Sequence, residues 1–177
     1  EKNIKFERVP WYKDALIIKN ANEKAIQKLD IYEKGYIYLQ SLSSMVPPIV
    51  LNPKAGEKIL DLTAAPGSKT TQLAGIMNNE GYILANELDN IRCERLKHNV
   101  EVQGATIVEV INSRGEKLGE TYENYFDKVL LDTPCSGEGR FLAYSSATYR
   151  DWSLKTVNQL TKLQRKLFDS AYKAVKP

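Results

Sequence analysis

Hydrophobic and polar positions follow two alternating patterns over most of the chain. Short apolar runs bounded by glycine, proline or polar residues predict buried strands over 58–62, 82–86, 106–111 and 128–132. Apolar residues spaced three or four positions apart predict helices over 44–51, 69–77, 90–103 and 153–175. Strands that alternate with helices favour the α/β class with a doubly wound, mostly parallel sheet, in which ligands bind at the carboxyl ends of the strands.

Local signals suggest where two of these helices begin. Pro47 and Pro48 are compatible with an α-helix only in its first turn, because proline has no N–H and clashes with the preceding turn. We therefore expect the first helix to begin at Ser44. Ser153 is a suitable N-cap for the long last helix, because its hydroxyl can accept a hydrogen bond from a free backbone N–H.

The first 40 residues lack the regular alternation of the rest of the chain. They are rich in aromatic side chains, and the runs at 15–19 and 36–40 predict two short strands. We expect a small N-terminal α+β lobe over 1–40 and a larger domain over 41–177. Most of the aromatic rings in the lobe are expected to pack against the larger domain.

The composition limits the possible functions. The chain is 42% hydrophobic and 27% charged with a net charge of +3, which is ordinary for a globular protein. It has no apolar run near the roughly 20 residues that a membrane span needs. Two cysteines, Cys93 and Cys135, and one histidine, His98, are too few for a disulfide framework, a zinc site or a serine triad. We expect a metal-free protein without a membrane association, located in the reducing cytoplasm.

The turn between strand 58–62 and helix 69–77 carries the clearest ligand signal. Its small residues leave free backbone N–H groups at the start of a helix, where a ligand can approach closely. The candidate cofactor-binding residues here are Thr63, Ala64, Ala65, Pro66, Gly67, Ser68 and Lys69. A P-loop needs glycine where Thr63 and Ser68 stand, and a dinucleotide site needs more glycines than Gly67. The remaining candidate cofactor is S-adenosylmethionine, which has no phosphate groups.

Acidic and thiol side chains follow two of the predicted strands. Glu87 comes directly after 82–86, where its two carboxylate oxygens suit a ribose cis-diol. Asp132 and Cys135 lie at the end of 128–132, where a substrate would enter. Methylation of cytosine at carbon 5 needs a thiolate that attacks carbon 6 and an acid near N3 or the amino group. Cys135 lies in a proline- and glycine-containing loop that suits this chemistry, whereas Cys93 on a helix is expected to be a core residue.

Three motifs carry a family resemblance. They are Gln40-Ser41-Leu42-Ser43-Ser44, Thr63-Ala64-Ala65-Pro66-Gly67-Ser68-Lys69-Thr70 and Asp132-Thr133-Pro134-Cys135-Ser136-Gly137-Glu138-Gly139. Together they resemble the Sun/Fmu-type RNA cytosine-5 methyltransferases, which include the NSUN and RsmB-like enzymes. The resemblance implies a class I, Rossmann-like methyltransferase fold with S-adenosylmethionine as cofactor. It also implies ribosomal or transfer RNA as partner, an N-terminal lobe that faces this RNA, and a monomeric full-length enzyme.

The resemblance implies roles for individual residues. Thr63 to Lys69 would line the cofactor site, Glu87 would hold the ribose, and Arg92 would support it from the following helix. Asp132 would lie between the cofactor and the cytosine, and Lys69 would contact either of them. The implied catalytic group is Cys135, Asp132 and Lys69, although in this family the cysteine at the Cys135 position mainly assists release of the enzyme from its product.

The chain departs from the family pattern at two places. The family has an acidic residue for the adenine amino group where Arg114 stands, and an arginine cannot accept that hydrogen bond. Ser113, Glu116 or a backbone carbonyl would replace it. The attacking cysteine of the family lies in a Thr-Cys motif beyond the Lys-Pro pair that ends this sequence. We therefore expect the chain to be a piece of a longer enzyme that also supplies the last strands of the sheet.

Three functional hypotheses are open at this point. The first is an RNA cytosine-5 methyltransferase that works through a covalent cysteine adduct. The second is a non-catalytic module that binds cofactor or RNA; the missing Thr-Cys segment favours it, and Lys69, Asp132 and Cys135 argue against it. The third is a methyltransferase in which Cys135 itself attacks the base, as the corresponding cysteine does in DNA cytosine methyltransferases.

Overall fold

The computed structural model describes residues 3–177. The strands in chain order are β1 Phe6–Arg8, β2 Leu16–Ile18, β3 Lys58–Asp61, β4 Tyr82–Asn86, β5 Val108–Ile111 and β6 Lys128–Leu130. The α-helices are α1 Glu23–Gln27, α2 Asp30–Glu33, α3 Leu42–Leu51, α4 Ser68–Ile76, α5 Asn90–Val102, α6 Gly115–Thr121 and α7 Leu154–Ala174. Two short 3₁₀ helices, Glu138–Arg140 and Ser146–Thr148, lie between β6 and α7.

A parallel sheet in the order β5-β4-β3-β6 forms the centre of the fold. Leu60 of β3 pairs with Leu84 of β4 on one side and with Val129 of β6 on the other. The strand order reverses between β3 and β6, and such a switch point leaves a crevice at the carboxyl ends of the two strands. The predicted doubly wound α/β sheet is confirmed.

Side chains of β3 alternate between two helical layers. Ile59 packs in one buried cluster with Leu73 of α4 and Leu96 of α5. The next residue, Leu60, packs in a second cluster with Leu167 of α7 on the opposite face of the sheet. All five leucine and isoleucine side chains are buried. The site at the strand ends is therefore supported by a packed three-layer core.

The predicted start of the first helix is wrong. α3 begins at Leu42, because the Ser41 hydroxyl accepts a hydrogen bond from the Ser44 N–H at 3.3 Å and caps the helix two residues earlier than expected. Pro47 and Pro48 consequently lie in the second turn of α3. The N-cap prediction for α7 is confirmed, since the Ser153 hydroxyl accepts a hydrogen bond from the Thr156 N–H at 3.2 Å.

Residues ahead of α3 form an antiparallel pair of strands, of which the sequence pattern predicts one. The run at 15–19 forms β2, which pairs with β1, a strand that the sequence pattern does not predict. The predicted strand over 36–40 is wrong. Its backbone lies along α5, where the Gln103 side-chain amide donates to the Ile37 carbonyl at 3.3 Å.

Three buried side chains, Val9, Ala15 and Met45, join this N-terminal region to α3. The division of the chain at residue 40 stays a prediction. Across residues 3–177, no helix combines the length and the apolar character that a bilayer crossing requires.

Candidate active site

The turn after β3 lies at the centre of the candidate site and is held against α5. Gly67, the N-cap of α4, has a φ of 109°, a backbone conformation that residues other than glycine rarely adopt. A Cβ at this position would also lie 3.0 Å from a methyl group of Leu96. The Asn99 amide donates to the Pro66 carbonyl at 2.7 Å. The turn therefore approaches α5 closely, with its small side chains at the switch point of the sheet.

Glu87 is held beside this turn by Arg92. Its side chain is buried, with an exposed fraction of 6%, and Oε2 lies 3.3 Å from the Arg92 guanidinium. The same guanidinium donates to the Ala65 carbonyl at 2.8 Å. The Asp89 N–H donates to Glu87 Oε1 at 3.0 Å. Arg92 thus connects the acid after β4 with the turn after β3, and the structure brings these predicted residues together.

Lys69 and Asp132 meet across the switch point. The Lys69 ammonium lies 2.7 Å from Asp132 Oδ2, with side-chain exposures of 18% and 58%. The Thr63 hydroxyl donates to the Asp132 carbonyl at 2.8 Å, which fixes the backbone of the loop after β6. A carboxylate and an ammonium are therefore available at the same place, with the carboxylate accessible to a substrate.

Asp61 lies beneath this ion pair and was not among the predicted site residues. Its carboxylate is buried and accepts a hydrogen bond from the Thr70 hydroxyl at 2.7 Å. Burial raises its pKa to about 6, while the hydrogen bond from Thr70 and the charge of Lys69 act in the opposite direction. Asp61 therefore anchors the first turn of α4, on which Lys69 lies.

The two cysteines differ in accessibility. Cys135 is exposed in the loop after β6, and the Gln164 amide of α7 holds this loop by donating to the Pro134 carbonyl at 2.8 Å. Cys93 is buried on α5, and burial raises the pKa of its thiol. The expectation that Cys93 is a core residue is confirmed, and Cys135 is the accessible thiol.

The region after β5 shows what surrounds Arg114. Its guanidinium turns toward Glu116 and donates to Oε1 at 2.6 Å. The Ser113 N–H donates to the buried Asn86 side chain at 3.1 Å. Asn112 was not predicted as a site residue, and its amide donates to the Glu87 carbonyl at 2.8 Å. Asn112 therefore fixes the backbone that carries the buried acid.

One of the missed residues has a signal in the sequence. Asn99 follows Arg92 by seven positions on α5, and residues seven apart share one face of a helix. Because Arg92 faces the turn after β3, Asn99 faces it as well. The spacing of these two polar residues on one helical face would have indicated both contacts with the turn.

The fold and the site define a class of protein. Phosphate-binding glycines are absent from the turn after β3, and this turn lies instead beside a buried acid and a lysine–carboxylate pair, with an accessible thiol in the loop after β6. In a doubly wound sheet, this combination is typical of a Rossmann-like methyltransferase. Among residues 3–177 no cluster of three or more potential metal ligands occurs.

Comparison with known families identifies the chain more closely. Residues 48–177 match the model of the family described as 16S rRNA methyltransferase RsmB/F. The chain belongs to this family, and the predicted resemblance is confirmed.

Two curated relatives illustrate the similarity. The chain is 42% identical over 178 residues to the tRNA (cytosine(49)-C(5))-methyltransferase of Pyrococcus abyssi (strain GE5 / Orsay), covering 100% of the chain and 56% of the relative. It is 40% identical over 174 residues to the ribosomal RNA small subunit methyltransferase F of Shewanella oneidensis, covering 97% of the chain and 36% of the relative. The chain thus spans about half or less of the length of these relatives.

A solved structure shares the fold. The crystal structure of NSun6 from Pyrococcus horikoshii with SFG matches with a TM-score of 0.75 and 32% identity, covering 85% of this chain and 38% of that chain. The Rossmann-like methyltransferase fold is therefore confirmed by both topology and comparison.

Proposed function

We propose that the protein methylates carbon 5 of cytosine in RNA, with S-adenosylmethionine as methyl donor and a covalent cysteine adduct to the base. The observation that carries this proposal is the Lys69–Asp132 pair at the switch point, in the loop that also exposes Cys135. Membership of the RsmB/F family and the names of both relatives support it.

The residues around the turn after β3 fit S-adenosylmethionine. Glu87 offers a buried carboxylate for the ribose hydroxyls, and Arg92 orients that carboxylate from one side. Residues 63–69 combine small side chains with the N-terminus of α4 and would line the rest of the cofactor. When bound, the cofactor supplies an electrophilic methyl group. Asp132 would lie between it and the base.

Residues of this chain would orient the base for attack by a cysteine other than Cys135. Attack of a thiolate on carbon 6 forms a carbon–sulfur bond and moves electron density through the ring to carbon 5. Asp132 would accept a hydrogen bond from the amino group of the cytosine or donate a proton to N3, and Lys69 would keep the Asp132 side chain in place. After methyl transfer, a base or water takes the carbon 5 proton, the electrons of that bond restore the double bond between carbons 5 and 6, and the cysteine sulfur leaves as a thiolate. Cys135 would assist this last step, in which the enzyme leaves the product.

The proposal includes the partner and the setting. The relatives are named for a tRNA and for a ribosomal RNA small subunit, so both classes of RNA are candidate substrates. The N-terminal lobe over 1–40 would face this RNA. We also propose that the enzyme is a monomer, acts in the cytoplasm and needs no metal.

Covalent trapping tests the proposal. The full-length protein would be incubated with S-adenosylmethionine and with tRNA or ribosomal RNA transcripts that contain 5-fluorocytosine, which stops the reaction at the adduct. We expect an adduct that survives Cys135→Ala, because Cys135 acts in release. Cys93→Ala is the matched control, since Cys93 is buried on α5.

Each alternative gives a different result. An adduct that disappears in Cys135→Ala but persists in Cys93→Ala would show that Cys135 itself attacks the base. No adduct and no methyl transfer to any transcript, from a protein that binds S-adenosylmethionine, would indicate a non-catalytic module.

A further inference from the structure

The loop between β6 and α7 carries a cluster of aromatic rings, and we call residues 136–152 the aromatic loop. The Phe141 ring packs against two others in the loop, with centroids 5.8 Å from Tyr149 and 6.4 Å from Trp152. Tyr144 has no part in this cluster. It is 87% exposed, the largest value of any bulky apolar or aromatic residue in the described part of the chain. Packing of the fold therefore does not explain this ring.

A compact turn holds Tyr144 at the tip of the aromatic loop. The Ser145 N–H donates to the Leu142 carbonyl at 2.9 Å. The Thr148 hydroxyl donates to the Ser145 carbonyl at 2.7 Å and accepts from the Leu142 N–H at 3.0 Å. These bonds fix the backbone on both sides of Tyr144, so its ring projects from a defined position of the loop.

Glu138 connects the aromatic loop to the candidate active site. Its Oε1 accepts hydrogen bonds from the Ser136 hydroxyl at 2.6 Å and from the Trp152 indole at 2.8 Å. Ser136 directly follows Cys135 in the chain. Glu138 therefore joins the residue next to the thiol to the aromatic cluster.

We propose that Tyr144 stacks on a nucleobase next to the reacting cytosine, so that the aromatic loop binds the single-stranded RNA that enters the site. This inference rests on the proposed function, since it states how the substrate of that reaction is held. Aromatic side chains bind bases of any sequence by stacking, because every base has a π face. Arg140 and Arg150 are exposed in the same loop and can contact the phosphates of the stacked nucleotide.

The position of the loop favours RNA over a protein partner. A cytosine can reach Cys135 and Asp132 only with its neighbouring nucleotides attached, and these must lie against the surface beside the site. Tyr144 lies in the loop that begins directly after Cys135. A base unstacked from its neighbours needs a substitute stacking partner, which an exposed tyrosine ring supplies.

Binding of the full-length protein to a single-stranded RNA oligonucleotide that it methylates tests this proposal. We expect Tyr144→Ala to weaken RNA binding about fivefold or more and Tyr144→Phe to stay within about twofold of wild type, because the ring and not the hydroxyl stacks. Affinity for S-adenosylmethionine should stay unchanged in both variants.

Tyr172→Ala provides a matched control. Tyr172 is similarly exposed, at 74%, and lies near the end of α7. Val175, three residues later, pairs with Phe126 ahead of β6, at the end of the sheet opposite to the aromatic loop. This variant should bind RNA within about twofold of wild type.

Abasic nucleotides identify the stacked base. The same RNA would carry a single abasic nucleotide on one side of the target cytosine or on the other. One of these replacements should weaken binding to the wild type about fivefold or more and leave binding to Tyr144→Ala unchanged. A purely structural role of Tyr144 would not produce this loss of sensitivity.

Several results would overturn the inference. If the wild-type protein methylates RNA, three results would each contradict the stacking role. Tyr144→Ala could bind RNA as tightly as wild type, or Tyr172→Ala could weaken RNA binding by the same factor as Tyr144→Ala. The abasic nucleotide could also weaken binding to Tyr144→Ala as much as it weakens binding to wild type. A wild-type protein that neither binds nor methylates RNA would overturn the proposed function together with this inference.

Discussion

The Lys69 ammonium lies 2.7 Å from Asp132 Oδ2, so that an ion pair joins the first turn of α4 to the loop after β6. The Asp132 side chain is 58% exposed, and exposed ion pairs contribute at most about 1 kcal/mol to folding. The pair therefore has little structural value. Its position at the switch point of the sheet is better explained by the reaction that we propose there.

Lys69→Met should separate activity from stability. We expect the rate of methyl transfer to fall about 100-fold or more, because the variant loses the charge that positions Asp132. The free energy of unfolding should change by no more than about 1 kcal/mol. Lys97→Met is the control, since Lys97 pairs with Glu94 on the exposed side of α5. Equal rates for the two variants would contradict the role of Lys69.

Glu87→Gln should weaken the binding of S-adenosylmethionine. The change keeps the shape of the side chain but removes the charge that faces Arg92 and one acceptor for the ribose hydroxyls. Calorimetric titration should show a loss of affinity of about tenfold or more, equal to roughly 1.4 kcal/mol. Glu94→Gln, an exposed change on α5, should bind as wild type does. Tight binding by Glu87→Gln would remove Glu87 from the cofactor site.

Asp61→Asn should change how stability depends on pH. Burial raises the pKa of Asp61 to about 6 from an ordinary value of 3.8, so the folded chain binds this proton more tightly than the unfolded chain does. Between these two values the wild-type protein loses stability as the pH rises, by an amount on the order of 3 kcal/mol. The stability of Asp61→Asn should not fall in this way, because asparagine does not titrate.

Urea unfolding between about pH 4 and pH 7 measures this effect. The stability of Asp61→Asn relative to wild type should increase through the window and level off above it. A constant difference between the two curves would mean that Asp61 has the same pKa in both states.

Two glycine substitutions should have opposite effects on stability. A Cβ at Gly119 of α6 would clash with the Ser170 carbonyl oxygen on α7, so Gly119→Ala should destabilise the fold by about 1–3 kcal/mol. A Cβ at Gly75 of α4 would meet nothing within 4 Å. Gly75→Ala should therefore stabilise α4 by about 0.5–1 kcal/mol. Chemical denaturation of both variants measures the difference, and a stable Gly119→Ala would show that α7 can move away from α6.

The sequence pattern predicts those parts of the site that depend on local structure. Gly67 and Glu87 could be predicted, because a turn after one strand and an acid after its neighbour meet wherever parallel strands are paired. Asp61 and Asn112 could not be assigned in the same way. Their partners are a hydroxyl on α4 and a backbone carbonyl after β4, and only the packed structure brings these groups close.

The errors in the fold have similar causes. The run at 36–40 has the composition of a strand, but it contacts side chains of α5 and has no neighbouring strand with which to pair. α6 contains Leu118 as its single large apolar residue, so it shows no helical periodicity. Its stability comes from packing against α7, which no short sequence window contains.

The alternation along β3 restricts how this family can vary in length. Ile59 and Asp61 face α4, whereas Leu60 faces α7. Insertion of one residue into β3 would exchange these faces, placing a carboxylate among leucine side chains and moving Lys69 away from Asp132. Evolutionary insertions and deletions should therefore be confined to connections remote from the switch point, such as the turn at 78–81, while the length of β3 stays constant.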